Sequence, residues 1–245
     1  DLQLMTYSEE LSHKTEGQIY VVVEALYSMN GDVAPLSEMA DMCQKYGAAL
    51  IIDEAHSHGI YGGNGEGLIV QLGLQDKVFA GIYTFGKAAG LHGAVICGSH
   101  ILKAYLINFC RTFIYTTAPS PYMRAATQQA YVRLETAKDA RLALANIITY
   151  FQSRAGLAQT KSSYWLPSSS PIQGLIIPGN ARAKSLSTYL QSQGFAIKAI
   201  LSPTVKSGTE RLRISLHSFN TAEQIDDLMQ AIDTWFNQFD TEQAA

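Results

Sequence analysis

The sequence predicts an α/β fold in two parts: a mostly parallel sheet flanked by helices, then a smaller α+β unit. Three observations predict it. Short, nearly continuous apolar runs at residues 19–24, 48–53 and 78–84 alternate with helical patterns, which is how strands of a sheet covered on both faces read. The first two runs end on acids, Glu24 and Asp53, and the third on Thr84. Past Pro171 the pattern changes to strand, helix, strand, strand and a long amphipathic helix.

The elements follow in order. After the run ending at Glu24 comes a turn at Asn30-Gly31-Asp32. Pro35 then opens a helix that runs to Tyr46, with Leu36, Met39, Ala40 and Cys43 on one face and Gly47 as its stop. Residues 94–97 form a fourth strand. Gly62-Gly63-Asn64-Gly65-Glu66-Gly67 does not lead from a strand into a helix as a dinucleotide fingerprint does, so it reads as a flexible loop. Residues 120–155 read as helical and carry the chain from one part to the next. Ser168-Ser169-Ser170-Pro171 is a loop. Strand 172–177, helix 181–193, strand 196–200 and strand 211–216 follow. Thr221 and Gln224 have capping-box spacing, and Ile225, Leu228, Met229, Ile232, Trp235 and Phe236 make one apolar stripe, read as core packing.

Composition removes several classes of function. The chain has 245 residues, 47% hydrophobic and 16% charged, with a formal net charge of −3. That is ample material for a globular core. No basic run supplies a footprint for nucleic acid. No apolar stretch reaches the roughly 18 residues of a membrane span. Cys43, Cys97 and Cys110 match no zinc spacing; three small buried or half-buried residues in a reduced, cytoplasmic setting is the simple reading.

Ligands of such sheets sit beyond the carboxyl ends of the strands. Glu24, Asp53 and Thr84 lie there, with Lys87 just past a Phe-Gly step. A partly buried lysine at that edge is a usable nucleophile; an exposed loop lysine is the ordinary alternative. Asp53 follows five apolar residues, so its carboxylate either pairs with a cation or caps the segment after it. His56 is placed to hydrogen-bond Asp53 or a ligand oxygen. Asp53, His56 and His58 make a poor metal set, lacking a further strong ligand at suitable spacing. Arg213, between Leu212 and Ile214, wants an anion: a substrate carboxylate or a structural salt bridge.

Taken together, these segments resemble the α-oxoamine synthases, a branch of the fold-type-I pyridoxal-phosphate (PLP) enzymes. The similarity runs through residues 24–36, Asp53-Glu54-Ala55-His56-Ser57-His58-Gly59, Thr84-Phe85-Gly86-Lys87, Ile114-Tyr115-Thr116-Thr117, Ser202-Pro203-Thr204-Val205 and residues 208–214. It implies the aspartate aminotransferase-like fold. Residues 1–150 would be the carboxy-terminal portion of the PLP-binding large domain with its connecting helix, and 151–245 the small domain. The family's large domain begins well before this chain, so the resemblance implies that an N-terminal part, including a phosphate-cradling loop, lies outside it.

By the same resemblance, Lys87 holds PLP covalently and acts as general base. Asp53 pairs with the pyridine nitrogen, His56 and Ser28 contact the ring, and Thr84 binds the phosphate. Thr116 or Thr117 reaches the phosphate of a partner subunit in a homodimer with shared sites. Arg213 holds the amino-acid carboxylate and Thr204 touches substrate. Ser170-Pro171-Ile172-Gln173 and Ser202-Pro203-Thr204-Val205 are most similar to the biotin-pathway branch. That branch condenses L-alanine with a pimeloyl thioester, carried on coenzyme A or acyl carrier protein, with loss of CO₂. Sibling members using other amino acids and acyl donors, and a truncated non-catalytic domain, are the alternatives.

Overall fold

The first apolar run forms β1 (Tyr20–Glu24) in a computed structural model that describes residues 10, 17–155 and 163–239. It is joined by β2 (Ala49–Asp53), β3 (Ala80–Thr84) and β4 (Ala94–Gly98) in the order β1-β2-β3-β4. The first three strands are parallel and β4 runs antiparallel to β3. Together with the expected α/β alternation, this gives the predicted mostly parallel sheet.

Helix α1 (Leu36–Tyr46) starts after Pro35 and ends at Gly47, whose φ of 65° is left-handed. A residue without Cβ adopts that conformation at little cost, and the Gly47 N–H returns to the carbonyls of Cys43 and Gln44. Leu36, Met39, Ala40 and Cys43 are its buried face, as the spacing predicts. They pack with Leu68 and Ile69 of the one-turn α2 (Leu68–Gln71) against Val23, Leu50, Ile52 and Tyr83 of the sheet. Each large aliphatic chain buried this way contributes about 1.5–3 kcal/mol. The other face departs from expectation: Tyr20 and Val22 remain 54% and 65% exposed, so among the described residues β1 is covered on one side only.

The chain between β4 and the second unit is more helical than the sequence suggests. Helices α3 (His100–Phe109) and α4 (Arg111–Ile114) were not expected. The apolar residues of α3 are spread around its axis and none is buried, so no stripe marks it. The predicted helical stretch 120–155 is two helices, α5 (Pro121–Thr136) and α6 (Lys138–Ala155), broken at Ala137. The cysteine reading also needs correction: Cys43 is buried and Cys110 intermediate, but Cys97, on the sparsely covered β4, is exposed.

The described residues fall into two compact units, one holding those up to Tyr27 and Val33–Lys138, the other Ser28–Asp32 and those from Asp139 onward. The sequence reading divides the chain after residue 150 instead. Ile148, Phe151 and Ala155 of α6 belong to the hydrophobic core of the second unit, which draws most of that helix into it.

In that second unit, β5 (Tyr164–Trp165), β6 (Ile172–Ile176), β7 (Lys198–Ile200) and β8 (Arg211–Ser215) form an antiparallel sheet in the order β5-β6-β8-β7. Helices α7 (Asn180–Ser192) and α8 (Ala222–Phe239) complete it. Leu186 and Leu190 of α7 and Ile225, Leu228, Ile232 and Trp235 of α8 pack on Leu175, Leu212 and Ile214. The capping box forms in both directions at 3.2 Å: Gln224 N–H donates to Thr221 Oγ1, and Thr221 N–H to Gln224 Oε1.

Residues 28–32 are held in this unit by polar contacts. Ser168 Oγ lies within hydrogen-bond distance of the carbonyls of Gly31 (2.9 Å) and Ile172 (2.7 Å), which share its single proton. Gly31 has φ 78°, and a Cβ there would lie 2.1 Å from the Ile172 carbonyl oxygen. Gly208 has a similar φ of 85° but open space around it. Gly31→Ala is therefore expected to destabilise the second unit by about 3 kcal/mol, combining overpacking with backbone strain. Gly208→Ala should show only the strain, about 1 kcal/mol. Denaturant unfolding of both variants checks the difference, and equal losses would refute the close-contact argument.

Candidate active site

The parallel register determines where the chemistry of the first unit can lie. Glu24 pairs with Asp53, and Asp53 with Ile82. Residues opposite one another share a face, so Asp53, Ile82 and Thr84 project from the face opposite the core residues Ile52 and Tyr83. Asp53 and Thr84 thus stand on one face at the carboxyl end of the sheet, and the chain turns there into the loop bearing Lys87.

That loop brings together two of the predicted residues. Lys87 Nζ lies 2.7 Å from His56 Nε2. A protonated amine has donors only, so with Lys87 charged the imidazole Nε2 accepts and the ring proton sits on Nδ1. The two side chains are thus in direct contact on the loop beyond β3. Of the two alternatives open for Lys87, the side chain is exposed, on the loop beyond the end of β3.

Asp53 takes both roles considered for it. Its Oδ1 accepts the Ala55 N–H at 2.7 Å, closing the turn that follows β2. Among the described residues no donor reaches Oδ2, which leaves carboxylate capacity for a cationic partner. Thr84 is half-buried, and its Oγ1 lies 3.4 Å from the Gly86 N–H, a long contact within the same loop.

Thr116 and Thr117 are exposed and line two separate cavities. Thr116 borders a cavity with Ala94, Ile96, Lys103 and Phe113. Thr117 borders another with Phe85, His92, Arg124 and Thr127. The second adjoins the Lys87 loop through Phe85.

Three predicted residues belong to the second unit. Arg213 Nε donates to the Ser28 carbonyl at 2.7 Å, so Ser28 meets Arg213 through its backbone. Among the described residues Arg213 makes no ion pair, and partial burial draws its guanidinium pKa downward. The salt-bridge reading of Arg213 therefore has no partner here. Arg211 is buried and donates to the Thr209 carbonyl (3.0 Å) and to Asn30 Oδ1. Thr204 is exposed on the loop after β7.

The sequence reading assigns no role to the most buried polar residues nearby. Glu54 and Ser57 have no exposure and His58 has 4%. Glu54 accepts from Ser57 Oγ and from the backbone N–H groups of Leu68 (3.0 Å) and Ile69 (2.6 Å). Burial raises its carboxyl pKa, while those three donors oppose the rise. His58 packs against Tyr83 and Tyr131, with ring centroids 5.5 and 5.6 Å away, beside a cavity of about 500 Å³. A charged residue beside Asp53, in a segment leaving an apolar strand, was the available signal. Adjacency alone does not tell which of two acids points inward. The loop at 62–67 is bridged within itself: Glu66 accepts from the Asn64 N–H and side-chain amide at 2.8 Å.

Comparison with known proteins places the chain in a family. A family model for aminotransferase class I and II matches residues 2–232. An 8-amino-7-oxononanoate synthase of Emericella nidulans is 35% identical over 236 residues, covering 92% of this chain and 57% of that protein. One from Marinobacter nauticus is 38% identical over 91% of this chain and 56% of its own length. The chain thus spans a little over half the length of these curated relatives. Among solved structures, SPT with a PLP internal aldimine superposes with a TM-score of 0.87 at 26% identity, covering 96% of this chain and 59% of its own. An 8-amino-7-oxononanoate synthase from Francisella tularensis superposes with a TM-score of 0.80 at 29% identity, over 94% of this chain and 66% of its own.

His58 yields a pH prediction. Burial lowers its pKa below the ordinary histidine value. Its neutral form is favoured in the fold, so its contribution is complete above the unfolded pKa of about 6.5 and is lost as pH falls through the lowered value. Unfolding free energy should fall more steeply below about pH 6.5 in the wild type than in His58→Gln. Parallel pH curves for the two would contradict this.

Proposed function

Because this chain belongs to the aminotransferase class I and II family, we propose that it is the larger part of a PLP-dependent acyltransferase of the α-oxoamine synthase branch. The observation that carries the reading is the Lys87–His56 pair, with Nζ and Nε2 2.7 Å apart at the sheet edge that Asp53 and Thr84 share. The donor set fits the cofactor: a primary amine for its aldehyde, a carboxylate with an open oxygen for its pyridinium, and threonine hydroxyls for its phosphate. Bound there, PLP supplies an electron sink for negative charge at the amino-acid Cα.

In this reading each side chain has a definite task. The Lys87 amine would hold the cofactor and, when free, would serve as general base for the amino-acid Cα proton. His56 Nε2 keeps that amine oriented through their hydrogen bond. Asp53 holds the pyridine nitrogen protonated, and Ser28 and Thr84 complete the cofactor contacts. Thr116 and Thr117 serve a partner subunit in a homodimer. The terminal nitrogens of Arg213 match an amino-acid carboxylate in bidentate geometry, and Thr204 borders the acyl chain.

The substrates we propose are L-alanine and a pimeloyl thioester on coenzyme A or acyl carrier protein. They would give 8-amino-7-oxononanoate with release of CO₂ and thiol, in the cytoplasm. Curated relatives at 35–38% identity are synthases of that product, and among solved structures one such synthase is 29% identical against 26% for SPT, which supports this pair over serine and a longer acyl donor.

Adding PLP to the full-length protein should give a visible absorbance band that is absent in Lys87→Ala. A full-length wild type without the band would refute the enzyme reading. L-Alanine should perturb the band at lower concentration than glycine or serine, and a preference for serine would move the assignment to the sibling reading. Arg213→Lys should raise the alanine KM about tenfold or more, since a point charge replaces a fork; an unchanged KM would remove Arg213 from the site.

A further inference from the structure

Asp53 and His56 sit on a turn held in place by a residue with no assigned role. We propose that Glu54 is a positioning residue for the His56–Lys87 pair, acting through the turn it clamps. This rests on the reading of Lys87 and His56 as the reacting pair.

The clamp is made by backbone and side chain together. Glu54 N–H donates to the Ile82 carbonyl of β3 at 2.8 Å, and the Glu54 carbonyl accepts from Ser57 N–H (3.1 Å) and His58 N–H (2.9 Å). His56 lies inside that turn. The carboxylate, at zero exposure, then ties the turn to α2 through Leu68 and Ile69 and back to the turn itself through Ser57 Oγ. Two separate anchors, strand β3 and α2, therefore converge on one residue, two positions from the imidazole.

The surroundings are shaped to admit that carboxylate. A Cβ at Gly67 would stand 2.6 Å from Glu54 Oε2, and Gly67 has φ 106°, so position 67 accepts only glycine on both counts. At the other end of the turn, a Cβ on Gly59 would meet Ala88 Cβ at 2.4 Å. Ala88 follows Lys87, so the turn and the lysine loop touch at backbone distance. A turn fixed at Glu54 and pressed against the lysine loop at Gly59 holds His56 where its Nε2 meets Nζ. Tyr83 packs beneath, and its hydroxyl pKa is driven up by burial and by the Glu54 charge, so no second ionised group competes for the donors.

A purely structural Glu54 would affect folding alone; a positioning Glu54 also affects the imidazole. In Glu54→Gln an amide NH₂ replaces one acceptor oxygen among three donors while the volume is kept. The first readout is ¹⁵N NMR of histidine-labelled, cofactor-free, full-length protein. The His56 ring signals should move from the Nδ1–H pattern towards a tautomer mixture. In the PLP-loaded protein kcat should fall about tenfold or more while the amino-acid KM changes less than about threefold. Ser57→Ala, which keeps the Leu68 and Ile69 contacts, should shift the same signals less, and it decides the matter should Glu54→Gln not fold. Wild-type His56 signals and kcat in a folded variant, with only a lower melting temperature, would overturn the proposal. A wild type that fails to take up PLP would refute the proposed function instead, and the cofactor-free NMR comparison would still decide this one.

Discussion

The parallel pairing of β1, β2 and β3 is the constraint from which the first unit's chemistry follows. Pairing Glu24 with Asp53 and Asp53 with Ile82 ends the first two strands level with each other and lets β3 run two residues further. A slip of one residue would turn Asp53 into the face occupied by Ile52, where a carboxylate has no cation and no water. The register is protected because the opposite choice exposes Val23, Leu50 and Ile52, three residues of the core. Hydrophobic burial thus fixes which acid faces outward, and the turn leading to Lys87 inherits its position from that.

The turn after β2 solves a second problem, how to hold polar groups without water. In a low-dielectric interior each hydrogen bond is stronger, and each unpaired polar group costs about 1–3 kcal/mol. Glu54 meets three donors, and Ser57 is one of them, so the network is internally satisfied. Such a network admits few alternative arrangements of the backbone between its anchors. On the proposal above, Asp53 and His56 take their direction from the rigidity that Glu54 and Ser57 give the turn.

Much of this architecture is legible in the sequence, for reasons that residues make plain. The strands ending at Glu24, Asp53 and Thr84 are short apolar runs bounded by polar residues. Helix α1 is marked at both ends by Pro35 and Gly47, and α8 by the reciprocal Thr221 and Gln224. What is illegible lacks periodicity or depends on distant contacts. The apolar residues of α3 surround its axis, so no face is signalled. The break at Ala137 is made by no proline or glycine. Lys87, His56 and Asp53 were legible as a group by resemblance, but the inward turn of Glu54 was not, because it is set by the amides of Leu68 and Ile69, fourteen and fifteen residues away. Nor does local sequence tell that residues 28–32 belong with the second unit, since Ser168 and Arg211 hold them there.

Arg211 and Arg213 show how two like residues separate into different roles. Both project from the same face of β8, since Leu212 and Ile214 occupy the core side. Arg211 is buried and donates to two neutral acceptors, the Thr209 carbonyl and the Asn30 amide oxygen. Arg213 uses one nitrogen on the Ser28 carbonyl and is left with unmatched donors and a partly desolvated charge. Its cross-strand neighbour in register is Lys198, a second cation on the same face. On the proposed reading, an incoming carboxylate would pair with this partly desolvated guanidinium. Strand alternation makes the two arginines equivalent; the buried Arg211 is turned to Thr209 and Asn30, while Arg213 shares only the Ser28 carbonyl, and on the proposed reading that leaves its terminal nitrogens for an anion.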